Sequence, residues 1–192
     1  MAFVKTPPDL KQPDIQLHFL PFGYIIQPHS RSAITAYQPK QNAMMITITL
    51  CKPKTRGTVS IDTQGNALIQ HQLFSAPEDM ETLVKGAKLA EHIYQQPALA
   101  KHTIRPCSPE TLITDDEAWR QYIRARANIS YHFCGSCSMG NDPSSVVDEQ
   151  LRVHGLHGLR VMDASIMPII TSGNTNATVI AIAERAADFI LG

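Results

Sequence analysis

The sequence predicts an α+β fold, an antiparallel β-sheet of about four to six strands with helices packed on one side. Two observations predict the sheet and the helices. β-Branched and apolar runs between residues 44 and 71, each closed by a turn, read as an antiparallel meander. Two stretches with helical apolar spacing come after it, over 75–97 and 114–127. A third observation adds a C-terminal strand–loop–helix: Leu159–Met162, the loop around Gly173-Asn174, and a run of helix formers behind it.

In chain order, Asp14–Leu20 alternates apolar and polar residues and reads as a half-buried strand that Pro21-Phe22-Gly23 ends. The polar stretch from Ser30 to Asn42 reads as a loop. Met44–Cys51 is β-branched and apolar, Gly57–Ile61 is the next strand, and Ala67–His71 is the third. Lys52–Gly57 and Gln64-Gly65-Asn66 are the turns between them. A helix begins at Ser75 or Pro77, with Glu78, Asp79 and Glu81 near its positive end. Leu83, Ala87, Ala90 and Ile93 form one apolar stripe on it, and Pro97 ends the pattern. Thr103-Ile104-Arg105 reads as a short strand. Thr114 followed by Glu117 resembles a capping box, opening a helix through Trp119, Tyr122 and Ile123 to about Ala127.

Composition removes several function classes. Seventeen basic residues balance seventeen acidic ones, so charge gives no reason to expect nucleic acid or an acidic membrane as partner. No apolar run reaches the ~18 residues of a transmembrane segment. The first residues, Met1 to Pro8, lack the pattern of a secretory signal, and a cytoplasmic location is expected. The four cysteines, Cys51, Cys107, Cys134 and Cys137, are then expected as free thiols.

The chemistry concentrates after residue 130. His132 precedes the turn at Gly135, and an imidazole that titrates near neutrality suits the removal of a hydroxyl proton. A lone His is more often structural, so its motif has to decide. Asn174 offers a neutral, non-titrating donor, although Asn174 or Asn176 also reads as a helix N-cap. The helix behind Gly173–Ala177, over Thr178–Ala187, would offer an anion its N–H groups. Cys134-Gly135-Ser136-Cys137 is a lone C-x-x-C, which without a second pair is a weak thiol-redox or zinc signal. His154 and His157 lack a third ligand and read as a solvated turn.

Taken in order, four segments resemble the C-terminal signature of the glucose–methanol–choline (GMC) family of FAD-dependent oxidoreductases, and choline dehydrogenase in particular. They are Tyr131–Gly140, Leu151–Gly155, Gly158–Ser165 and Ser172–Ala177. The family pattern is roughly His-Pro-x-Gly-Thr-Cys-x-Met-Gly, Leu-Arg-Val-x-Gly, Leu-Arg-Val-x-Asp-Ala-Ser-x-Met-Pro, then Asn-x-Asn before a helix. Phe133 replaces its Pro and Ser136 its Thr, so the turn loses the rigidity a Pro would give.

The resemblance implies that His132 and Asn174 act on the hydroxyl of an alcohol substrate while hydride passes to FAD. It implies backbone contacts to the flavin from Asp163 and Ala164, and further cofactor contacts from Asn174, Thr175 and Asn176. It divides the chain into a substrate-domain part, 1–130, and a catalytic, flavin-contacting segment, 131–192. It also implies that the C-terminal strand–loop–helix completes the FAD-binding part of the fold. Complete members carry an N-terminal Rossmann region with Gly-x-Gly-x-x-Gly, and none of the ten glycines here forms that motif. The chain is therefore expected as a fragment, one half of a split enzyme working with a separate FAD-binding half, or a remnant that keeps the fold without turnover.

Overall fold

The computed structural model describes residues 1–26, 36–37 and 42–192. The fold is α+β and comprises two compact units, residues 1–50 with 76–128 and residues 51–75 with 129–192. Most of the stretch expected as a polar loop, 30–42, lies outside the described residues.

The first unit is built on strands β1 (Ala2–Val4), β2 (Ile15–Leu20) and, after the two-residue strands β3 (Ile25–Ile26) and β4 (Ala36–Tyr37), β5 (Met45–Leu50). The sheet order is β1-β2-β5, all antiparallel, and β3 pairs with β4. Period 2 sets the β2–β5 register. Ile15, Leu17 and Phe19 stand opposite Leu50, Ile48 and Ile46, while Gln16 and His18 stand opposite Thr49 and Thr47. A slip of one residue would oppose apolar to polar side chains at every position but one.

Helix α1 (Pro77–Gln95) covers the apolar face of this sheet. Pro77 occupies the first turn, where its missing N–H costs nothing, and Glu78 and Asp79 face the positive end of the helix. Met80, Val84, Ala87 and Ala90 are buried, with Gly86 at the closest approach to the sheet. A short helix α2 (Pro97–Ala100) follows, where the pattern was expected to stop. Helix α3 (Asp116–Arg126) packs on α1 through the buried Trp119 and Ile123. The Arg120 guanidinium grips Glu81 of α1 with two hydrogen bonds, Nε to Oε1 at 2.9 Å and Nη2 to Oε2 at 3.1 Å. This exposed pair adds at most about 1 kcal/mol, so apolar burial holds α3 in place.

Three expectations are corrected in this region. The cap of α3 is Asp115, whose Oδ1 accepts from the Ala118 N–H at 2.8 Å, and Thr114 is displaced because the helix starts one residue later. Residues 103–105 form no strand, and Ile104 is 98% exposed, so β-branching alone gave no pairing partner. The meander is not one sheet. Strands β6 (Thr58–Ile61) and β7 (Ala67–Gln70) make a separate hairpin in the second unit, and the largest sheet among the described residues has three strands. The link from β5 to β6 contains Pro53 and is too long for a tight return, and β5 instead matches its apolar face to β2.

The second unit is mostly loop, organised by a small core. Val147, Leu151, Ile166 and Ala186 are buried together, with Met139, Val161, Ile182 and Phe189 packed around them. Its helix α4 runs over Asn176–Leu191, longer than expected, because the Asp188–Leu191 turn continues the pattern. Arg160 Nη2 donates to the Phe189 carbonyl at 3.1 Å near the end of that helix. The expected strand Leu159–Met162 reduces to a single bridge, Arg152 with Arg160, with no second neighbour strand among the described residues. No helix among the described residues is long and apolar enough to cross a membrane.

Gly86 gives a stability test. A Cβ there would lie 2.8 Å from Ile48 Cγ2 and 3.2 Å from Ile15 Cδ1. Ala would gain up to ~1 kcal/mol of helix propensity, against an overpacking cost of about 1–3 kcal/mol. Gly86→Ala is expected to lower the urea midpoint of helix loss at unchanged slope, a net cost of roughly 1 kcal/mol. A raised midpoint would show that α1 moves off the sheet freely.

Candidate active site

The loop carrying His132 is fixed by its backbone. Tyr131 just before it adopts the left-handed region, φ 60°, which a bulky residue holds only where its surroundings impose it. Gly135, φ 89°, turns the chain where a side chain would be strained. The Cys137 N–H then donates to the Ser165 carbonyl at 3.0 Å and the Met139 N–H to the Ile166 carbonyl at 2.9 Å. Those carbonyls belong to a single 3₁₀ turn, Ala164–Ile166, whose Ile166 is buried in the unit's core.

Asp163 opens that turn. Its Oδ1 accepts from the Ser165 N–H at 2.8 Å and from the Ser165 hydroxyl. The Ser165 hydroxyl and then its backbone N–H hold the carboxyl below its ordinary value, with burial opposing them.

His132 and Asn174 are in contact. Asn174 Nδ2 lies 3.0 Å from His132 Nε2. The other ring nitrogen, Nδ1, lies 2.9 Å from Thr175 Oγ1. His132 is half-buried, Asn174 exposed and Thr175 buried at 6% exposure. The motif pairs His132 with Asn174, whereas Thr175 was expected only among the cofactor contacts, and no spacing signals its approach to His132. The structure corrects the capping expectation too: Thr175 holds the N-cap position of α4, and no side chain caps that helix. Asn176 is the exposed first residue of α4. The start of α4 lies next to the His132–Asn174 pair, since Asn174 and Thr175 immediately precede it.

Phe133, where the signature has Pro, stacks on His71 from the residue after β7, centroids 5.1 Å apart at 18°. No spacing in the sequence signals this contact. The pair lies away from a cavity of about 520 Å³, which is lined by Arg152, His157, Arg160, Met162 and Ile190 among others.

Burial pushes the Cys134 thiol up, against the opposing charge of Arg56, so it is a neutral thiol at neutral pH and a poor nucleophile. Among the described residues no group of three His, Cys, Asp or Glu side chains is placed to hold a metal ion.

The α+β scaffold thus brings an imidazole with a polar neighbour at each nitrogen beside a helix start without a side-chain cap. Residues 53–183 match the family described as GMC oxidoreductase, and the chain belongs to that family. It is 40% identical to an alcohol dehydrogenase [acceptor] of Pseudomonas putida, over 99% of this chain and 34% of that protein. It is 37% identical to an oxygen-dependent choline dehydrogenase of Pseudomonas fluorescens, over 100% of this chain and 33% of that protein. Among solved structures it is similar to pyridoxine 4-oxidase from Mesorbium loti, with a TM-score of 0.82 and 27% identity over 97% of this chain and 36% of that one. The chain spans about a third of the length of the curated relatives it matches.

Asp142 braces the far end of the signature loop, and it makes an acid-stability prediction. It accepts from the Ser144 N–H at 2.9 Å, the Ser144 hydroxyl, and the Ser145 hydroxyl at 2.8 Å. The Ser144 hydroxyl, followed by that of Ser145, lowers the carboxyl from 3.8 to about 2. A carboxyl depressed in the folded state stabilises fully above its unfolded value and loses that contribution as pH falls through its folded value. The gap in melting temperature between wild type and Asp142→Asn is therefore expected to be constant above about pH 5 and to shrink toward pH 2. A gap that does not change with pH would remove the linkage.

Proposed function

We propose that this chain is the substrate-side and catalytic portion of a flavin-dependent oxidoreductase that acts on the CH–OH group of an alcohol. The observation that carries the reading is the 3.0 Å contact between Asn174 Nδ2 and His132 Nε2. A general base and a neutral donor around one oxygen are what alcohol oxidation requires. When the alcohol enters, its oxygen accepts from the Asn174 amide and its proton passes to His132 Nε2. FAD, when bound, supplies the acceptor for the hydride that leaves the alcohol carbon, and the product is the carbonyl compound. The uncapped start of α4 fits the anionic edge that a flavin develops on reduction. In this reading Asn174, Thr175 and Asn176 at that start, with the backbone of Asp163 and Ala164, face the cofactor.

FAD-dependent turnover needs a pyrophosphate cradle, and this chain has no Gly-x-Gly-x-x-Gly. We therefore place its activity in assembly with a Rossmann-type FAD-binding region. The surface of α4 supports this: Ile180, Ile190 and Leu191 are 55%, 57% and 85% exposed, while Ala186 on another side is buried. A helix apolar on more than one side packs on more than one side in the finished molecule. The four free thiols fit a cytoplasmic setting. The competing reading, an inactive binding module that keeps the fold, predicts no turnover after such assembly.

Two outcomes are expected. The isolated chain should bind FAD weakly or not at all, read from flavin absorbance after gel filtration, and a stoichiometric yellow protein would overturn the need for a second region. Assembled with a family FAD-binding region, the protein should oxidise an alcohol with reduction of the flavin. His132→Ala should then lower turnover by at least about a hundredfold, the usual size of a general-base loss. Asn174→Ala should lower turnover with the far-UV circular dichroism unchanged. Full turnover in His132→Ala would remove His132 from the chemistry.

A further inference from the structure

Thr175 breaks a local rule. A Thr at a helix N-cap ordinarily accepts from a first-turn N–H with its hydroxyl oxygen. That geometry needs an extended backbone at the cap, and Thr175 has φ −78° and ψ −14°. Its hydroxyl makes no capping bond. It is buried, and it lies 2.9 Å from His132 Nδ1. The capping contact is out of reach of this backbone, and the hydroxyl faces the imidazole.

The partners of the ring set its tautomer. An amide nitrogen can only donate, so Nε2, 3.0 Å from Asn174 Nδ2, accepts and carries no proton. In a neutral imidazole the proton then sits on Nδ1, and the atom within reach to accept it is Thr175 Oγ1. We infer that Thr175 is a positioning residue for His132: its hydroxyl accepts the Nδ1 proton, holds the neutral ring as the Nδ1–H tautomer, and leaves the Nε2 lone pair for the proton of the alcohol. The inference deepens the function proposed above and rests on it for the identity of that proton's source. Its geometric part concerns this chain alone. Thr175 touches neither the alcohol nor the leaving hydride in this role, and acts through His132.

The experiment is long-range ¹H–¹⁵N correlation of the chain labelled in its histidine rings, at a pH where His132 is neutral. The His132 signals are identified by their loss in His132→Gln. The expected wild-type pattern is a protonated Nδ1 and an unprotonated Nε2, well separated in ¹⁵N shift. In Thr175→Val, where only the Asn174 amide still favours the Nδ1–H form, the separation should shrink as the Nε2–H tautomer becomes populated, with the amide signals of α4 retained, and Thr175→Ser should restore it. Thr175→Ala makes the same test if Val disturbs the start of α4. A wild-type ring protonated on Nε2 overturns the inference without any variant. So does a separation that stays undiminished in both hydroxyl-free variants. Failure of the functional reading looks different: the tautomer is pinned by Thr175 as described, yet the assembled protein oxidises no alcohol.

Discussion

The second unit depends on a short set of backbone hydrogen bonds between the signature loop and the 3₁₀ turn at Ala164–Ile166. Cys137 and Met139 donate to Ser165 and Ile166, and Ile166 is anchored in the core with Val147, Leu151 and Ala186. Few regular elements surround this contact, so the loop has no sheet to borrow rigidity from. Its position is inherited from one buried turn and one buried helix face. Because Ala186 belongs to α4, the core that fixes the His132 loop also fixes the helix whose start carries Asn174 and Thr175. The two halves of the site are held by one packing problem.

Strain and irregular geometry gather around that core. Leu151 holds φ 64° while only 4% exposed. Asp148 makes this conformation tenable: its carboxylate accepts from the N–H groups of Gln150 and Arg152 at 2.9 Å each, satisfying the turn's donors. Burial of the leucine side chain, about 2 kcal/mol, offsets a left-handed conformation of about 1–2 kcal/mol. Tyr131, beside His132, has the same backbone conformation with an exposed side chain, so there the compensation comes from the anchored loop that follows it.

The first unit follows a simpler logic. Its sheet and α1 meet through small residues on the helix and branched ones on the strands, Gly86 against Ile15 and Ile48. Close approach there buries Ile15 completely. The second unit leaves Val59, Ile61, Ile69, Ile180 and Ile190 more than half exposed, and the first leaves Phe22, Ile104 and Leu112 so.

Local chemistry was enough to determine much of this protein. Period 2 in Ile15–Leu20 and Met45–Leu50, the apolar stripe and Pro77 start of α1, and the helix after Asn176 follow from nearest-neighbour sterics and one-sided burial, which act over a few residues. The ordered motifs around His132, Asp163 and Asn174 were likewise legible, because backbone turns demand particular residues at particular spacings. Strand partnership was not. Whether β5 returned to β6 or to β2 depended on which apolar face found cover, a contest between segments far apart in the chain. The cap of α3 turned on a one-residue shift that propensity does not resolve. Thr175 was expected only as a cofactor contact and became a partner of His132 when packing of α4 brought a hydroxyl to a ring 43 residues away. Contacts of that span are settled by the shape of the core, and no local pattern encodes it.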